Sequence, residues 1–169
     1  SLNNLQWALN VYTIVFASLT IPLSKLAEKY GKQRFYLLGL TTFMLGSLLS
    51  AISQDLSFLI VGRAIQSLGA ALVFPLSMTL GISTVSVSAR TKIIAALGVT
   101  QGLAAALGPT IGGILTQYLG WRWIFLVNLP LMIISLIICL ICFNRQEEKE
   151  SAKIDILGAI LSMATLFSL

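Results

Sequence analysis

The sequence predicts an all-α fold, a polytopic membrane helix bundle. Three observations carry that prediction. Hydrophobic residues make up 57% of the 169 residues and charged residues only 10%, with a mean hydropathy of +0.92; a soluble domain carries about 25% charge. Five apolar stretches are each close to the roughly 20 residues that a helix needs to cross a bilayer. The basic residues gather in short clusters between those stretches, which is a pattern of membrane topology rather than of a nucleic-acid face.

Taken in order, Leu5–Ser24 is the first expected span. It is too polar around Asn3, Asn4, Gln6 and Asn10 for a signal peptide, and no cleavage pattern follows it. The basic connection Lys25–Arg34 leads to the second span, Phe35–Ile52, and the short connection Ser53–Ser57 to the third, Phe58–Leu80. After Ser83–Lys92 comes Ile93–Leu119, then the turn Gly120–Arg122 and the fifth span, Trp123–Phe143. Asn144–Asp155 carries both signs of charge and reads as a linker, and a sixth apolar stretch opens at Ile156. The expected organisation is a five-helix unit over 1–143, a charged linker over 144–155 and the start of another span over 156–169.

Charge sets the expected orientation. Lys25, Lys29, Lys32 and Arg34, then Arg90 and Lys92, then Arg145, Lys149 and Lys153 fall in alternate connections, nine of the 11 basic residues. The positive-inside rule places those connections in the cytoplasm. Ser1 is then extracytoplasmic, which predicts at least one span upstream of it.

Several function classes drop out. With no histidine in the chain, a histidine metal site or general base is excluded here, and no nucleophile–base pair points to an enzyme. Cys139 and Cys142 form a Cys-x-x-Cys within an Ile- and Leu-rich run; two ligands do not hold a structural zinc, and they read as small apolar side chains. No metal or organic cofactor is expected.

Arg63 is the costliest side chain to place, since ionisable residues inside spans are rare and face a bundle interior or wet cavity. Gln66 follows at i+3 on the same helix face, with Ser67 and Ser77 nearby. Two readings stand: an arginine snorkelling to the interface, or a cavity-facing charge with a role in function. No Asp or Glu lies within a complete span; Asp55 sits in a connection. In the first connection Glu28, Gly31, Lys32 and Arg34 read either as plain anchoring or as a cytoplasmic latch, with Glu28 pairing a base or capping the next helix. The fourth span holds Gly98, Gly102, Gly108, Pro109, Gly112 and Gly113. These read as simple close contact between helices, or as a bend that seals against a partner, because a mid-helix proline removes a backbone donor. Trp121 and Trp123, flanking Arg122, are expected interfacial anchors.

These motifs, in this order, resemble the first half of a major facilitator superfamily transporter over essentially the whole chain. Ser24–Arg34 is similar to the loop between spans two and three, G-x-L-A-D-R-x-G-R-K: Leu26, Ala27 and Gly31 match, with Ser24 for Gly, Glu28 for Asp, Lys29 and Lys32 for Arg and Gln33 for Lys. Arg63, Gln66 and Gly69 match the fourth-span pattern R-x-x-Q-G-x-G. Gly108, Pro109, Gly112 and Gly113 match the fifth-span antiporter motif G-x-x-x-G-P-x-x-G-G, with Ala104 for its first glycine. Trp7, Tyr12, the segment Trp121–Pro130 and Asp155–Gly158 resemble the fourteen-span drug:proton antiporters of the EmrB/QacA type.

The resemblance implies that the chain holds spans two to six and the start of seven. It implies proton-coupled efflux of small hydrophobic or cationic compounds across a bacterial cytoplasmic membrane, with the proton as coupling ion. Its partners would be a small-molecule substrate, the lipid bilayer, and the first span and C-terminal half of the same transporter, with no nucleic acid. A solute uptake symporter and an accessory membrane protein that moves nothing are the competing expectations.

Overall fold

The computed structural model describes residues 2–83 and 85–148. They form α1 (Leu2–Tyr30), α2 (Lys32–Ala51), α3 (Leu56–Ser83), α4 (Val87–Tyr118), a short α5 (Trp123–Leu126) and α6 (Asn128–Glu148). Among the described residues, five helical segments are long and apolar enough to cross a membrane, the fifth being Trp123–Phe143. The expected linker beyond Glu148 and the stretch from Ile156, including Lys149, Lys153, Asp155 and Gly158, lie outside the described residues.

The helices are longer than the expected spans. α1 runs on through Lys25, Glu28 and Lys29, and α2 begins at Lys32, so only Gly31 separates them. α4 begins before Arg90 and Lys92, and α6 continues past Phe143 to Glu148, into the stretch read as linker. Hydropathy reports the part of a helix that lipid would cover, whereas backbone hydrogen bonding continues into water wherever no residue breaks it. Between Trp123 and Phe143 there is one interruption, at Val127. Pro130 explains it: a proline cannot donate to the carbonyl four residues back, and its ring crowds that carbonyl, here Leu126. Beside the break, the Asn128 side-chain amide donates from Nδ2 to the Ile124 carbonyl at 3.3 Å.

Gly31 is the pivot between α1 and α2. Its N–H donates to the Ala27 carbonyl at 2.9 Å and its own carbonyl accepts from Phe35 N–H at 3.2 Å. The backbone there has φ +116°, a region that side chains resist. A Cβ at Gly31 would meet nothing within 4 Å, so strain alone sets the cost. Gly31→Val is expected to destabilise the protein by about 1–3 kcal/mol, seen as a lower thermal midpoint of the purified protein. An unchanged midpoint would show that the pivot tolerates another conformation.

α2 and α3 form the centre of the bundle, with α1 against α3 and α6 against α2. Their antiparallel register sets a small residue against a larger one at four successive levels: Gly39 faces Val73, Gly69 faces Phe43, Gly46 faces Gln66 and Gly62 faces Ser50. A Cβ on Gly69 would sit 2.7 Å from the Phe43 Cα and from the Gly39 carbonyl oxygen, and one on Gly62 would sit 2.8 Å from the Ser50 nitrogen. Missing side chains at these points let the backbones approach, the main source of cohesion between helices in lipid. Phe43, Leu40, Leu72, Val73, Leu76 and Met132 fill the core beside this seam.

Candidate functional site

The polar centre is built where α3 crosses α2 near the Ser53–Asp55 connection. Asp55 fixes the start of α3 by accepting from Phe58 N–H on Oδ1 at 2.7 Å, an N-cap bond to an otherwise unpaired donor. Its carboxylate is therefore occupied in the helix cap. Arg63 lies about 10 Å along the axis from Leu56 at 1.5 Å per residue.

Arg63 is only 6% exposed. Its Nη1 donates to Gln66 Oε1 at 2.7 Å, and Gln66 Nε2 donates to Ser47 Oγ on α2, also at 2.7 Å. The guanidinium lies over the Tyr12 ring of α1, 4.2 Å from its centroid, and 5.7 Å from the Phe125 ring of α5. Four helices thus contribute to one polar chain with aromatic walls. Ser67, next to Gln66, donates to the Tyr12 backbone carbonyl and ties α3 to α1.

This arrangement is not that of a snorkelling arginine. A snorkelling arginine would extend its head toward the interface; here the head turns inward onto an amide and two rings. Magnitudes show why it is tolerated. Placing an arginine in a span costs about 2.5–3.5 kcal/mol on insertion scales. Against that, a hydrogen bond from a charged donor contributes about 1.5–3 kcal/mol and a desolvated cation–π contact about 2 kcal/mol.

The other expected site residues stand apart from this centre. Ser77 donates to Phe74 O within its own helix at 2.8 Å, about 21 Å along the axis from Arg63. Glu28 is exposed near the end of α1, and the N-cap of α2 is Gly31, which has no side chain to cap it. Lys32 is half-buried and Arg34 exposed at the same end. On α4, Gly108 is buried while Pro109 and Gly113 are exposed. A Cβ on Gly98, Gly102, Gly112 or Gly113 would meet nothing within 4 Å. The glycines held tightly between described helices are those of α2 and α3 instead.

Ser47, Tyr12 and Phe125 are the members of the centre that sequence reasoning did not assign to it. Tyr12 and Phe125 were read only as parts of family-like segments, and Ser47 was not singled out. A hydroxyl at Ser47 one residue from Gly46, on an apolar span, was the available signal.

The family model described as Major Facilitator Superfamily matches residues 1–168. The chain belongs to that superfamily. It is 38% identical over 167 residues to the methylenomycin A resistance protein of Bacillus subtilis (strain 168), covering 98% of this chain and 36% of that protein. It is 33% identical over 170 residues to multidrug resistance protein 3 of the same organism, covering 100% of this chain and 33% of the relative. Against the puromycin resistance protein pur8 of Streptomyces alboniger it is 31% identical over 166 residues, 97% of this chain and 33% of the other. The chain spans about a third of the length of these relatives. As a major facilitator protein it is a multi-pass membrane protein of a transporter family, and its all-α bundle is part of that fold.

Proposed function

We propose that this chain is the N-terminal part of a proton-coupled exporter of small hydrophobic or cationic compounds, working by alternating access in a bacterial cytoplasmic membrane. The observation that carries the reading is the buried Arg63–Gln66–Ser47 chain. A charge held inside a span by an amide and two rings, with no carboxylate on its own helix, is poised to respond to a carboxylate that gains or loses a proton elsewhere in the transporter. The relatives named for resistance to methylenomycin A, to puromycin and to multiple drugs support export as the direction. In this reading the nine clustered basic residues face the cytoplasm, and Glu28, Gly31, Lys32 and Arg34 form a latch there in another state of the cycle.

The glycine face of α4 supports the same proposal. Four glycines with open space around them suit a helix that seals against the opposite half of the transporter. The test uses the full-length protein in vesicles with an imposed pH gradient and a lipophilic cationic dye as cargo. Dye movement against its gradient, lost when the pH gradient is dissipated, is the expected result; movement that ignores the gradient would overturn proton coupling. Gly112→Val is expected to abolish coupled efflux or to make the vesicles proton-leaky, while the five helices still fold, since a Cβ there meets no atom of them within 4 Å. Parent-rate pumping without leak by that variant would leave α4 as ordinary helix surface.

A further inference from the structure

The stretch between α4 and α6 has no part in the coupling described so far, yet it connects an exposed cation to the buried one. Gly120 turns the chain with φ +95°. Arg122, exposed, donates from Nη2 to the Ser53 carbonyl at 2.8 Å while its guanidinium lies 4.5 Å from the Trp121 ring centroid. Ser53 is buried, with its hydroxyl donating to Ser50 O at 2.7 Å, so Arg122 is fastened to a fixed point at the α2–α3 connection. Trp121 meets Phe125 edge-on, with centroids 6.1 Å apart and planes at 87°. Phe125 is the buried residue of α5, and its ring is the wall of Arg63 opposite in sequence to Tyr12.

We propose that Phe125 is a positioning residue for Arg63 and a lid over that end of the polar chain, and that the Arg122–Ser53 hydrogen bond is the clasp that keeps the lid shut. This rests on the reading of Arg63 as a coupling residue and of the Ser53 end as extracytoplasmic. The physical reason is desolvation. A ring face against a guanidinium excludes water and strengthens the bond to Gln66. The clasp is a part-buried hydrogen bond from an exposed guanidinium to a neutral carbonyl, so its guanidinium side is open to water. It is therefore the place where the lid opens, and α5 is short enough to move as one piece carrying Phe125.

The test is water access to the polar chain in the full-length protein, measured on a Ser47→Cys reporter after Cys139, Cys142 and any other cysteine are replaced by alanine. A membrane-impermeant maleimide is added to intact cells and the labelling rate is followed. Phe125→Ala and Arg122→Gln are expected to raise that rate about tenfold, the factor corresponding to loss of one cation–π contact. Phe125→Tyr, which keeps the ring, is expected to label at the parent rate, and Phe125→Leu, which keeps only apolar bulk, faster. Parent-rate labelling in Phe125→Ala would overturn the lid, and parent-rate labelling in Arg122→Gln beside a raised rate in Phe125→Ala would overturn the clasp. A Gln54→Cys control, on an exposed residue of the same connection, separates the failures. If it labels only in inverted vesicles, the orientation is wrong and the lid is read from that side. Labelling that follows the expected order while transport ignores the pH gradient sinks proton coupling and leaves the lid standing.

Discussion

Arg63→Ala in the full-length protein is expected to lower proton-driven efflux by about a hundredfold, on the scale at which positioned proton-transfer groups act, with normal insertion and expression. The alanine removes the donor to Gln66 and leaves Gln66 Oε1 without its partner among the described contacts. It also empties the space between Tyr12 and Phe125. Arg63→Lys is the sharper variant. A lysine keeps the charge, but its ammonium lacks the planar fork that stacks on a ring while donating sideways. It is expected to recover only a minor part of the rate. Transport assays at matched protein level decide the matter, and full efflux by Arg63→Ala would remove Arg63 from the mechanism.

Gly46→Val is expected to prevent the α2–α3 pair from forming and to leave little folded protein. The Cβ of any residue at this position would fall against the Gln66 backbone nitrogen and Cα, with the Gln66 Cβ only 2.7 Å away. Backbone cannot be moved aside as a flexible side chain can. Even Gly46→Ala is expected to cost about 1–3 kcal/mol, the range for overfilling a well-filled core. Gly81→Ala on α3 is the comparison, since its Cβ would meet Ile93 Cγ2 at an ordinary 3.8 Å. Thermal melting of purified variants should show a lowered midpoint for Gly46→Ala and a near-parent one for Gly81→Ala. Equal midpoints would show that the helices can separate without loss.

Much of the fold was legible because the bilayer imposes one rule on every span. Apolar length located the five helices that are long and apolar enough to cross a membrane among the described residues, and the alternation of ends is seen directly where Arg122 reaches Ser53. Arg63 and Gln66 were legible together because i+3 spacing on one helix is fixed by geometry. Their other partners were not. Ser47, Tyr12 and Phe125 come from three further helices, and no periodicity within one helix states which residues of another lie opposite. The glycines show the same limit. The run on α4 drew notice by density, yet Gly39, Gly46, Gly62 and Gly69, spaced by seven on each of two neighbouring helices, are the ones pressed against backbone and side chains. The break at Val127 is legible from Pro130, four residues after Leu126, but apolar length alone reads Trp123–Phe143 as one unbroken helix.

The close α2–α3 register also bears on how such a chain enters a membrane during synthesis. Alone, α3 would present a bare guanidinium to lipid. The α2–α3 connection is short, so the two helices can insert as a hairpin, and Ser47 has already been made when Gln66 and Arg63 follow. Tyr12 is older still. Of the direct partners of Arg63, Tyr12 precedes it in the chain and Gln66 follows three residues later, while Phe125, translated much later, covers it last.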